Sequence, residues 1–98
     1  RAHVVTLQCI DNFSGFEPIN IGTGRGVSVL EVVGEFERQS GTSVKFEISS
    51  RREGDAPEVW ADTSYAFKKL EFQSVNGISE MCRDIWRWQS LYPQGYDK

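Results

Sequence analysis

The chain has 98 residues, of which 39% are hydrophobic and 26% charged, with a formal net charge of -3. That length allows one small domain or a part of a larger one, and the composition is globular rather than disordered. No Lys/Arg block exceeds two residues, so the basic field that nucleic acid requires is missing; no apolar run reaches the roughly 18 residues of a membrane span, and nothing reads as a signal peptide.

Arg1 to Ile10 carries the apolar residues Val4, Val5, Leu7 and Cys9 and reads as helix. No N-cap or acidic first turn precedes it, so the chain is expected to begin inside a helix. Asp11 to Glu17 is loop, with Asn12, Ser14 and Gly15 as turn residues. Pro18-Ile19-Asn20-Ile21 reads as a short strand and leads into the glycine-rich turn Gly22-Thr23-Gly24-Arg25-Gly26. Ser28 and Glu31 form the capping-box pair of a helix whose Val29, Val32, Val33 and Phe36 share one face. Gly41 stands where a left-handed C-cap residue ends it. Val44, Phe46 and Ile48 alternate with Lys45 and Glu47, the pattern of a half-buried strand.

Arg51-Arg52-Glu53-Gly54-Asp55 follows that strand as a loop, and Asp62 then reads as the N-cap of a helix ending at Leu70. The last helix is expected over Ile78 to Ser90, with Ile78, Met81, Cys82, Ile85 and Gln89 on one stripe and Trp86 and Trp88 near its end. A turn-rich tail, Tyr92-Pro93-Gln94-Gly95-Tyr96, closes the pattern. The sum is a helix-rich α/β arrangement with two short strands. An independent sheet usually needs about three, so further strands are expected to come from elsewhere.

The chemistry concentrates in the arginine loop. A planar guanidinium fork suits phosphate, and a neighbouring carboxylate accepts hydrogen bonds from sugar hydroxyls, so the loop would suit a nucleotide-sugar. Surface loops also carry Arg-Arg pairs, but the carboxyl end of a strand is where α/β proteins bind ligands. The Gly22/Gly24/Gly26 turn lies between strand and helix as a dinucleotide motif would, yet Val27 stands at the third glycine's place. It reads as a tight turn needing positive φ.

Tyr65 and Lys69 have the spacing of a Tyr-x-x-x-Lys pair but no serine partner or preceding cofactor fold, and with Lys68 they read as a solvated helix face. Trp60, Trp86 and Trp88 read as packing anchors. Cys9 and Cys82 lack metal spacing; one disulfide between them is an open alternative, but they read better as two buried free thiols in a reducing cytosol, and His3, the single histidine, reads as a packing or surface residue rather than a ligand. No catalytic, cofactor-binding or metal-ligating set emerges.

The order of these pieces resembles the carboxyl-terminal part of the UDP-glucose 4-epimerases, which are extended short-chain dehydrogenases. The resemblance rests on Ile19-Asn20-Ile21-Gly22-Thr23-Gly24 with Ser28-Val29-Leu30, on the Arg51–Asp55 loop, on Trp60-Ala61-Asp62, and on Met81 to Ser90 with Pro93-Gln94-Gly95-Tyr96. The last segment is the most specific, because related nucleotide-sugar enzymes seldom share its Trp-Arg-Trp-Gln ending.

The resemblance implies that residues 1–98 are one UDP-sugar-binding portion of a Rossmann-type, NAD-binding enzyme whose cofactor domain lies upstream. It implies that Arg52 contacts the UDP diphosphate, that Asp55 binds hydroxyls of the nucleotide-sugar, and that Val59 lines the sugar pocket. In the family a bulky tyrosine at the Val59 position disfavours N-acetylated sugars, so valine implies acceptance of UDP-N-acetylglucosamine beside UDP-glucose and UDP-galactose. The family's NAD glycine motif, catalytic serine and Tyr-x-x-x-Lys pair all lie upstream of the residues matched here, so this piece alone is expected to be inactive. A cytoplasmic homodimer is implied for the whole enzyme. The competing readings are a decarboxylase or dehydratase of the same superfamily, and a free-standing, non-catalytic UDP-sugar-binding or interaction module.

Overall fold

A computed structural model describes residues 1–96. Its helices are α1 (Ala2–Gln8), α2 (Val29–Ser40), α3 (Ser64–Leu70) and α4 (Ile78–Leu91), with a 3-10 turn at Ile10–Asn12. The chain divides into two units, Arg1–Gly26 with Glu58–Val75, and Val27–Pro57 with Asn76–Lys98.

In the first unit, α1 has no side-chain cap at its start and stops at Gln8, two residues short of the expected end. There the Cys9 thiol donates to the Val5 carbonyl at 3.0 Å, and the backbone tightens into the 3-10 turn. Helix α3 buries Ala66 and Leu70. Its Lys69 is not simply solvated. Lys69 Nζ lies 3.2 Å from Glu17 Oε1 and 5.6 Å from the centre of the Phe13 ring, tying the loop after α1 to α3. The hydrogen bond to Glu17, with its charge, pushes the Lys69 ammonium above the ordinary lysine range.

The second unit pairs α2 with α4. Ser28 and Glu31 make both bonds of the expected capping box, at 3.2 and 2.7 Å, and Gly41 ends α2 in the left-handed conformation. Only half of such a box starts α4: Glu80 Oε2 accepts from the Gly77 amide at 2.8 Å, and glycine has no side chain to reciprocate. Phe36 meets Trp86 edge to face, with ring centres 5.7 Å apart.

The buried residues differ from the expected stripes. Val29 and Val32 on α2, and Met81 and Ile85 on α4, are exposed; Cys82 alone of the α4 stripe is fully buried, and on α2 the carboxylate Glu35 is buried instead. Glu35 is tolerated there because Gln39 donates to it at 2.8 Å, Arg38 lies 2.6 Å away, and Ser79 on α4 also bonds it. Both cysteines are free, but Cys9 is only half-buried.

Neither expected strand forms among the described residues. A strand exists by its ladder, and no backbone bond joins residues 18–21 or 44–48 to another segment. The Val44 amide donates instead to Glu37 Oε1 at 2.8 Å. Alternation marks a segment able to pair; pairing also needs a neighbour.

Candidate functional site

The arginine loop is built on one turn. The Asp55 amide points back to the Arg52 carbonyl at 3.4 Å, and Gly54, third of the four residues, has φ of 87°. Glu53 is not among the positive-φ residues, so the pattern is that of a type II turn, which needs glycine at this position. The turn folds Arg52 back onto Asp55, bringing Nε to 3.2 Å from Oδ2. Arg51 reaches the same residue from outside: its Nη2 donates to the Asp55 carbonyl at 3.0 Å.

The Arg52–Asp55 pair faces water, with the two side chains 86% and 49% exposed. An ion pair in that setting contributes about 0.2–1 kcal/mol, so either partner can turn to a ligand at little cost. The contact uses Arg52 Nε and Asp55 Oδ2, leaving the outer fork of the guanidinium and the second carboxylate oxygen outside it. An anion clamp and a hydroxyl acceptor therefore stand side by side on one turn. Sequence reasoning placed Arg52 and Asp55 here but missed the Arg51 contact, which depends on where the turn carries the Asp55 carbonyl.

Val59 belongs to the other unit and is exposed. The residues that follow it line the glycine-rich turn. A Cβ on Gly22 would lie 3.2 Å from Cβ of Ala61, one on Gly24 3.2 Å from Oγ1 of Thr63, and one on Gly26 3.0 Å from Cε3 of Trp60. Of these three only Gly24 has positive φ; at Gly22 and Gly26 it is close approach, not turn conformation, that a side chain would have to overcome. Asp62 sits one residue before the N-cap position, Thr63, and its Oδ1 accepts from the Ser64 amide at 2.9 Å. That bond holds its carboxyl below the usual carboxylate range.

No family model matches the chain. UDP-glucose 4-epimerase of Erwinia amylovora is 45% identical over 95 residues, 97% of this chain and 28% of that protein. UDP-glucose 4-epimerase 1 of Oryza sativa subsp. japonica is 48% identical over 97 residues, 96% of this chain and 27% of that protein. A UDP-glucose 4-epimerase of Stenotrophomonas maltophila, solved with NAD and formylated UDP-arabinopyranose, superposes with a TM-score of 0.83 at 39% identity, covering 95% of this chain and 28% of that one.

The chain is similar throughout to the carboxyl-terminal portion of UDP-glucose 4-epimerase. It spans little more than a quarter of the epimerases it matches. The epimerase of Bifidobacterium longum, solved with NAD and UDP, has the same fold over 97% of this chain, with a TM-score of 0.81 at 35% identity.

These epimerase structures carry NAD, and the glycine-rich turn here does not fit that cofactor. The space beside Gly22 and Gly26 is taken by Ala61 and Trp60, so those glycines admit the chain's own side chains rather than a pyrophosphate. Among the described residues no three His, Cys, Asp or Glu side chains gather as a metal site, and no helix is long and apolar enough to cross a membrane.

Proposed function

We propose that the chain is the UDP-sugar-binding portion of a UDP-glucose 4-epimerase, an NAD-dependent enzyme that interconverts UDP-glucose and UDP-galactose. The observation that carries this reading is the Arg51–Asp55 turn, in which Arg52 and Asp55 are held 3.2 Å apart in a segment that the epimerases match. Arg52 turns its guanidinium fork to the diphosphate. Asp55 accepts from hydroxyls of the nucleotide, and Val59 lines the sugar pocket.

NAD, where bound, supplies the hydride acceptor for sugar C4; it is held by the portion of the enzyme outside the matched quarter. The residues of this chain bind and orient the substrate. Residues 1–98 act as one substrate-binding portion, and segments 18–21 and 44–48 become strands when that remaining portion supplies ladder partners. The complete enzyme is a cytoplasmic homodimer with no nucleic-acid partner. The small side chain of Val59 leaves room for UDP-N-acetylhexosamines.

The test is product analysis. The complete polypeptide, given UDP-galactose, is expected to form UDP-glucose with no loss of carbon. Release of carbon dioxide when a UDP-hexuronate is offered in its place would assign a decarboxylase, and loss of water from the hexose would assign a dehydratase. Binding of UDP-sugar with no product of any kind would leave a binding module.

A further inference from the structure

Two guanidinium groups converge on Asp55, and they hold different parts of it. Arg52 takes the carboxylate; Arg51 takes the backbone carbonyl, at 3.0 Å. The turn's own closing bond, from the Asp55 amide to the Arg52 carbonyl, is long at 3.4 Å. A turn closed by so weak a bond leaves the orientation of its fourth residue, Asp55, to its other contacts. The Arg51 side chain spans the whole turn, from the residue before it to the carbonyl at its far end, and so fixes the peptide plane that follows Asp55.

We infer that Arg51 is a positioning residue: it touches no ligand, and it holds the Asp55 backbone so that the carboxylate faces the hydroxyls of a bound nucleoside diphosphate. The inference rests on the epimerase reading for the identity of that ligand. A free cation attracting phosphate from a distance would need no bond to Asp55. A guanidinium that donates to a carbonyl at 3.0 Å has committed part of its planar fork to the protein itself. The role also explains two adjacent arginines without assigning both to phosphate.

The experiment is a double-mutant cycle on the complete polypeptide, with UDP as the probe and calorimetry as the readout. Arg51→Ala is expected to weaken UDP binding about 5-fold to 10-fold, with a rise in KM for UDP-galactose and kcat nearly unchanged. In a polypeptide already carrying Asp55→Ala, the same change is expected to cost less than about 2-fold, because no carboxylate remains to be aimed. Equal losses in both backgrounds would mean that Arg51 meets the phosphate itself, and would overturn the inference. So would UDP binding by Arg51→Ala as tight as by the unaltered polypeptide.

A further variant separates charge from geometry. Arg51→Lys keeps the charge but not the planar fork, so it is expected to recover less than half of the loss; full recovery would point to charge alone and against the clamp. Hydrogen exchange at the Asp55 amide needs no ligand and is expected to quicken in Arg51→Ala; an unchanged rate would show that no clamp exists. Failure of the unaltered polypeptide to bind UDP would overturn the epimerase reading and this inference together, whereas binding unaffected by Arg51 overturns the inference alone.

Discussion

Gly26 and Trp60 lie so close that a methyl on the glycine would come 3.0 Å from Cε3 of the indole. The glycine-rich turn is thus shaped by the segment that follows Val59. Gly26→Ala is expected to lower stability by about 1–3 kcal/mol through overpacking. Gly34, in the middle of α2, has nothing within 4 Å of a built Cβ. Gly34→Ala is therefore expected to raise stability by about 0.5–1 kcal/mol, and paired urea melts check both signs.

The sequence made parts of this molecule legible because some interactions are local. Ser28, Glu31 and Gly41 sit within α2 or beside it, and the spacing of their types is enough to place both ends of the helix. Arg52 and Asp55 are three residues apart on one turn, so their meeting could also be read. Glu35 could not. Its burial depends on Gln39, Arg38 and Ser79 arriving together, and no periodicity marks a carboxylate that α4 will cover. Nor could the strands be settled, since alternation in residues 44–48 describes a face and not the neighbour it pairs with. Lys69 likewise read as solvated because Glu17, its partner, lies 52 residues away.

Glu35 gives the chain an acid-sensitive joint. The Gln39 amide first, then Ser79 and Arg38, hold its carboxyl below the usual range, against the opposing effect of burial. A depressed folded-state pKa contributes stability that is present above the unfolded value of about 4.3 and is lost as pH falls through the folded value. Glu35→Gln is therefore expected to melt lower than the unaltered chain near pH 7, with the gap holding down to about pH 5 and the two curves converging as pH falls further. Thermal melts across that range check it, and a gap that widens in acid would contradict the assignment.

The capping box at the start of α2 yields a smaller effect. Ser28→Ala removes the oxygen that accepts from the Glu31 amide at 3.2 Å. A loss of about 0.5–2 kcal/mol is expected in a denaturant melt, and Ser28→Gly should cost only a few tenths.

Val59 sets the sugar preference under the proposed function. Val59→Tyr places a large ring where valine now stands, and the complete polypeptide is expected to lose turnover of UDP-N-acetylglucosamine while keeping that of UDP-glucose. Chromatographic assay of both substrates decides it: equal losses for the two sugars, or none, would remove Val59 from the pocket.

Under the proposed function, Arg52 holds the diphosphate of a UDP-sugar. The most direct test is calorimetric titration of the complete polypeptide with UDP, before and after Arg52→Ala. Loss of a charge-assisted contact worth about 1.5–3 kcal/mol predicts affinity lower by roughly 10-fold to 150-fold. Affinity unchanged by the substitution would contradict the account and take the arginine turn out of the binding site.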